Sequence, residues 1–145
     1  MSAPPLRLLR LANPLVRGVL GSRAHRALSG ALVVLTYRGH RSGREFRIPL
    51  QYVELPDARI VAVAVGAGRK LWWRSFTEPT AAELLLRGRR RPVHGRVLEG
   101  EARREALCAY LSRFGRAAGP LGVRRGAGDA ELDGAEAVVV AFDPR

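Results

Sequence analysis

The stretch "ALVVLTYRGHRSGREFRIPLQYVEL", Ala31 to Leu55, decides the fold. Ala31 to Tyr37 is an unbroken apolar and β-branched run, the composition of a strand buried on both faces. From Glu45 the pattern alternates: Phe46, Ile48, Leu50 and Tyr52 face one way and Arg47, Gln51 and Val53 the other, as in a half-buried strand. Between the two, Gly39 and Gly43 bracket His40, Arg41 and Ser42 in a tight turn that also carries Arg38 and Arg44. Pro49 has no N–H to donate, which predicts a bulge or a free sheet edge at that point.

Working outward, "RIVAVAVG" (Arg59 to Gly66) reads as a third strand, and the three together as an antiparallel meander. "GAGRKLWWRSFTEP" is a small-residue loop followed by one or two helical turns. In "TAAELLLRGRRRPVHGRVLEG", Ala82 to Arg87 has helix propensity. The alternation of Val93, Gly95 and Val97, with Arg87-Gly88-Arg89 as a turn, favours a hairpin instead. Glu99 to about Gly115 is a helix with Ala102, Ala106, Leu107, Tyr110, Leu111 and Phe114 on one side, and Cys108 on it reads as a small buried hydrophobe. A Gly-rich basic linker leads to a last strand, "AEAVVVAF".

Residues 4–28 form an amphipathic helical segment, with Leu8, Leu11, Leu15 and Val19 in a stripe and a break at Asn13-Pro14. Two readings stand for it: packing on the domain, or contact with an anionic membrane surface. About six mostly antiparallel strands with helices at the margins make an α+β fold, and closure into a small barrel removes exposed edges. One domain is expected over 1–145, the helical segment at 1–28 and the barrel at 29–145.

Composition narrows the function classes. Hydrophobic content of 47% with 26% charged residues excludes wholesale disorder. Net charge is +12, Lys70 is the only lysine, and the excess of arginine permits anionic partners. Basic runs at Arg87 to Arg91 and Arg124-Arg125 raise a nucleic-acid reading, but no helix–turn–helix or aromatic RNA-binding signature accompanies them, so no nucleic-acid partner is expected. There is no P-loop and no strand–GxGxxG–helix unit. A lone Cys108 forms no intrachain disulfide, and His25, His40 and His94 lack metal-ligand spacing, so no metal is expected. Without a long apolar window or a secretion signal, the expected location is cytoplasmic, with membrane association left to residues 4–28.

Two features carry chemistry. The glycines of the basic turn let a ligand approach backbone N–H groups, while Arg41 and Arg44 can fork onto phosphate or carboxylate and Ser42 offers a hydroxyl. On composition alone a solvated turn is the simpler reading. Trp72 and Trp73, which follow the glycines Gly66 and Gly68, taken alone read as core. Turn, loop and aromatics together describe a cleft for a flat ring with an anionic tail.

The run "LTYRGHRSGREFRIPLQY", then "VAVAVG", then "KLWWRSF" and "TEP", resembles the deazaflavin-dependent nitroreductase family of actinobacteria, within the split β-barrel flavin-binding superfamily. The likeness covers roughly Leu32 to Leu98. It implies a split barrel binding the deazaflavin coenzyme F420, with FMN or haem as alternatives. By matching positions, Gly39, His40, Arg41, Ser42 and Gly43 would hold the phosphate and oligoglutamate tail, and Arg44 would add charge. Pro49 and Leu50 would lie near the ring system. Ala64, Val65 and Gly66 would offer backbone to the deazaflavin edge, with Trp72, Trp73, Arg74 and Ser75 closing over the other side. The implied activity is F420H2-dependent reduction of a small electron-poor acceptor, a quinone or nitro compound. The cofactor carries the hydride chemistry, so no catalytic side chain is assigned. A non-catalytic cofactor binder is the alternative, and relatives imply a monomer or homodimer. Gln51 departs from the family, where a tyrosine facing substrate is frequent.

Overall fold

The computed structural model describes residues 32–65, 71–114 and 128–145; the helical segment 4–28, Gly66 and most of the Gly-rich linker lie outside the described residues. Seven antiparallel strands form a curled sheet: β1 (Leu32–Arg38), β2 (Glu45–Gln51), β3 (Val53–Glu54), β4 (Ile60–Val65), β5 (Thr80–Leu86), β6 (Arg89–Val97) and β7 (Ala137–Pro144). A 3-10 helix spans Trp72–Phe76, and two α-helices follow, α1 (Gly100–Arg113) and α2 (Asp129–Asp133).

The strand order is β2-β1-β5-β6-β7-β4-β3. The meander expected of the first three strands is therefore corrected: β1 pairs with β2 and β5, whereas β4 pairs with β3 and β7. The cause is a break at Tyr52, which splits the expected long strand into β2 and the additional strand β3. The two edge strands are thus consecutive pieces of one chain segment, and the sheet between them curls into a half-barrel. This is a split β-barrel. Pro49 lies on the edge strand β2 opposite Val34, in a register that runs unbroken from Leu32↔Gln51 to Arg38↔Glu45. A free edge, not a bulge, accommodates its missing N–H.

Alternation sorts the apolar residues into two cores. Val33, Leu35, Ile48, Tyr52, Ile60, Ala62, Ala64, Leu84, Leu86, Val140 and Phe142 fill the barrel with Trp72 and Phe76. Their neighbours Val61, Val63, Val139 and Ala141 point outward, under Ala106, Leu107 and Tyr110 of α1 and Leu132 of α2. At Val139 and Val140, both buried completely, each face of β7 makes a core of its own. The β5–β6 hairpin closes through Arg87 and Gly88, both at positive φ (51° and 76°), the backbone of a two-residue type I′ turn.

Helix α1 corrects two readings. Cys108 is exposed, because it follows Leu107 by about 100° of rotation and leaves the buried stripe. Ala102, in the first turn, is exposed as well. Arg103 does what an apolar residue could not: its guanidinium donates to the carbonyls of Leu132 (2.9 Å), Ala135 (2.9 Å) and Ala137 (3.1 Å), pinning α1 to the α2–β7 connection. The short helix α2 itself was invisible in a segment that reads as linker. No helix among the described residues is long and apolar enough to cross a membrane.

Candidate functional site

The β1–β2 turn is closed by its own backbone. Gly39 N–H donates to the Arg44 carbonyl (2.8 Å), and Gly43 N–H to the Gly39 carbonyl (3.0 Å). Gly43 sits at φ +69°, where a side chain is strained, and a Cβ on Gly39 would stand 2.8 Å from Phe46 Cε2. Two polar side chains brace this loop: the Arg38 guanidinium donates to the Gly43 carbonyl (3.1 Å), and Ser42 Oγ accepts from Arg44 N–H (3.2 Å). Arg47 lies 3.6 Å from Glu45. His40, Arg41 and Arg44 are exposed, and neither Arg41 nor Arg44 has an ion pair among the described residues.

The 3-10 helix presents its aromatics to opposite purposes. Trp72 is buried and stacks on Phe142 (centroids 6.5 Å, 20°), while Phe76 meets Phe142 edge-on at 5.5 Å. These rings plug the barrel. Trp73 is half-buried, with the Arg74 guanidinium 5.6 Å over its ring, a cation–π arrangement. Ser75 is the only buried polar residue among the described residues, and its Oγ accepts the backbone N–H of His40 at 3.1 Å. That bond spans 35 residues of sequence and fastens the basic turn to the tryptophan segment.

Strand register shows which other residues join them. β1 ends at Arg38 beside the start of β5, Thr80 opposes Gly95 on β6, Val97 opposes Val140 on β7, and Ala137 opposes Val65 on β4. The basic turn, the 3-10 helix and the end of β4 with Ala64 and Val65 therefore occupy one end of the barrel. Ala64 faces the interior and is fully buried. Pro49 and Leu50 do not lie at this end. They stand opposite Val34 and Val33, four to five residues along β2 from the turn, about 15 Å at strand rise, and only Leu50 faces inward. Gln51, beyond them, accepts a hydrogen bond from the Tyr110 hydroxyl (3.2 Å).

Tyr37 carries no signal of its own in the sequence, although alternation from Val33 and Leu35 places it on the inner face. Its ring stacks on Phe46 (5.6 Å, 28°) and lies 5.9 Å from Phe76. Burial pushes its phenol up to about 12, so the hydroxyl keeps its proton throughout the physiological range. Leu71 is 48% exposed, the only exposed large hydrophobic among the described residues, and it adjoins the tryptophans. The barrel end thus combines unneutralised guanidinium groups with aromatic and apolar surface. Among the described residues no cluster of His, Cys, Asp and Glu could hold a metal ion.

No protein-family model matches the chain, and no curated protein is significantly similar to it. Solved structures do resemble it. An F420-H2-dependent reductase (FDR-A) superposes with a TM-score of 0.58 at 22% identity, covering 77% of this chain and 93% of that one. A chain described as a domain-swapped dimer gives 0.59 at 18% identity over 91% and 99%. A protein assigned as a pyridoxamine 5′-phosphate oxidase from Listeria innocua gives 0.53 at 10% identity over 83% and 90%. At these identities the likeness is one of fold, and the fold is the split β-barrel.

Proposed function

We propose that the protein binds coenzyme F420 at the barrel end bearing the β1–β2 turn and reduces a small electron-poor acceptor, a quinone or nitro compound. The observation that carries this reading is the His40–Ser75 hydrogen bond, which joins an anion-seeking turn to an aromatic segment. The F420-H2-dependent reductase among the fold neighbours supports the same choice. The residues present fit the coenzyme's chemistry: Arg41 and Arg44 have no carboxylate partner among the described residues, and the space at Gly43, where a Cβ would touch nothing within 4 Å, leaves backbone open to a phosphate.

When bound, the reduced deazaflavin supplies the hydride. The chain's own contribution is to hold and exclude. Arg41 and Arg44 would fix the phosphate and tail, and Trp73 and Leu71 would cover the flat ring system. Ala64 and Val65 would offer backbone at its edge, and Pro49 and Leu50 belong to the proposal only if the ring system reaches some 15 Å along β2. Tyr37, with its proton retained, is a neutral donor that leaves the charge of the site to its arginines.

The test is a side-by-side titration with F420, FMN and haem, followed by steady-state turnover of the reduced deazaflavin with menadione. F420 should bind, and Arg41→Ala should weaken it at least about tenfold, since a charge-assisted hydrogen bond contributes roughly 1.5–3 kcal/mol. Binding of FMN or haem with none of F420 refutes the proposal. Binding without turnover leaves a non-catalytic cofactor carrier.

A further inference from the structure

The arginines of the β5–β6 hairpin are sorted by face. Arg90 opposes Leu85 and lies 3.9 Å from Glu83, on the outer surface of the sheet. Arg89 opposes Leu86 and Arg91 opposes Leu84, and both leucines are fully buried in the barrel core. Directly opposed residues of an antiparallel pair share a face, so Arg89 and Arg91 leave the strand on its inner side. Beside them the last opposed pair of β6 and β7 is Val93↔Pro144, and Arg145 N–H donates to the Pro92 carbonyl (3.1 Å). The hairpin thus carries two inward guanidinium groups, with Arg87 at its tip.

Across from this tip stands Tyr52, at the break between β2 and β3 and only 2% exposed. The Arg87 side chain hydrogen-bonds its hydroxyl, and Arg113 at the end of α1 is close enough to act on the same group electrostatically. Both act more strongly there than Glu54, the one carboxylate felt at that position. Burial outweighs the arginines and keeps the phenol raised, so Tyr52 remains neutral and does not balance them. Arg87, Arg89, Arg91 and Arg113 have no ion pair among the described residues, and all 13 Asp and Glu of the chain lie among those residues. Seven residues of strand, about 20 Å, separate this end of the barrel from the β1–β2 turn.

We infer that this opposite end of the barrel is a second anion site, built by Arg87, Arg89 and Arg91 around Tyr52 and taking a phosphate-bearing ligand. Three planar forks carried by one hairpin suit the several oxygens of a phosphoryl group better than a single carboxylate. The site is independent of the proposed coenzyme.

Isothermal titration with inorganic pyrophosphate tests it, in an Arg41→Ala background that disables the turn at the other end. One binding event should remain. Adding Arg89→Ser and Arg91→Ser should weaken it by about a hundredfold, roughly tenfold per arginine, whereas Arg90→Ser on the outer face of the same strand should not. An unchanged urea midpoint establishes that the variants are folded. Co-sedimentation with phosphatidylglycerol vesicles, lost in the double variant, would identify a lipid headgroup as the source of the phosphate. Pyrophosphate binding without sedimentation would identify a free phosphorylated molecule. Pyrophosphate binding that is absent, or that is indifferent to Arg89→Ser and Arg91→Ser, overturns the inference.

Discussion

Replacing Ser75 by Ala removes one oxygen atom and tests the junction on which the proposed site depends. The Oγ is buried and accepts the His40 N–H at 3.1 Å, so the substitution leaves a backbone donor facing a methyl group. A hydrogen bond exchanged for water contributes about 1 kcal/mol net, and a donor cut off from water costs up to about 3 kcal/mol. His40 itself is exposed, so water can reach its amide, and the lower figure applies. About 1 kcal/mol corresponds to roughly a fivefold change in a local opening equilibrium and, for a domain of this size, to a Tm lower by about 2–4 °C. The contrast is Ser42→Ala. Ser42 Oγ also accepts a backbone N–H, from Arg44 at 3.2 Å, but in an exposed bond that water replaces directly, so the expected loss is a few tenths of a kcal/mol.

Amide hydrogen exchange followed by NMR reads the effect where it arises. In Ser75→Ala the His40 amide should exchange about fivefold faster than in the parent, with amides of the β4–β7 ladder unchanged. F420 affinity should fall with it, because the arginines of a loosened turn are no longer held toward the tryptophan segment. Exchange at His40 that is indifferent to Ser75, or a Ser42→Ala variant that loses as much stability as Ser75→Ala, would refute the reasoning.

Other expectations follow from single contacts. A Cβ on Gly95 would stand 2.5 Å and 2.7 Å from Phe76 ring atoms and 3.0 Å from Phe142, so Gly95→Ala should cost about 1–3 kcal/mol in urea unfolding and alter tryptophan fluorescence as the 3-10 helix shifts. Arg103→Lys keeps the charge but not the fork that reaches three carbonyls, and should cost about 2 kcal/mol in the same assay. All three tyrosines are raised by burial, Tyr37 to about 12, and Tyr52 and Tyr110 in the same direction. The native protein should therefore show less tyrosinate absorbance at pH 10 than the unfolded chain, which is half ionised there. The sign follows: the unfolded state releases these protons first, so stability falls as pH rises from about 10 toward 12. A native tyrosine titrating at its ordinary value would contradict the packing around Tyr37.

Much of the fold is legible because alternation is a local signal. Val33 and Leu35 against Val34, or Ile48 and Leu50 against Pro49, announce two faces within seven residues, and the turn at Arg87-Gly88 is marked by its glycine. What alternation cannot report is which strands become neighbours. The placement of β4 between β3 and β7 depends on where the chain bends at Tyr52, and nothing at Tyr52 itself signals a break. Tyr52 carries an apolar ring in an alternating run. The break becomes intelligible only with its partners present, since the ring enters the barrel while its hydroxyl meets Arg87 from a hairpin 35 residues later.

The site divides in the same manner. Glycines and arginines of the β1–β2 turn stand out because their residue types are chosen for backbone geometry and charge, and both properties are intrinsic to the residue. Ser75 and Tyr37 do not stand out, because their importance is relational. Ser75 is one serine in a chain with several, distinguished by burial against a turn far away in sequence, and Tyr37 reads as one more apolar strand residue until Phe46 and Phe76 enclose it. The arginines show both sides of this limit. Their number is visible as net charge +12, but charge that is paired on the outer face and charge left unpaired on the inner face look alike in sequence. Only the strand register separates Arg90 from Arg89 and Arg91. On that separation rests the distinction between solvated surface charge and a place where an anion would be held.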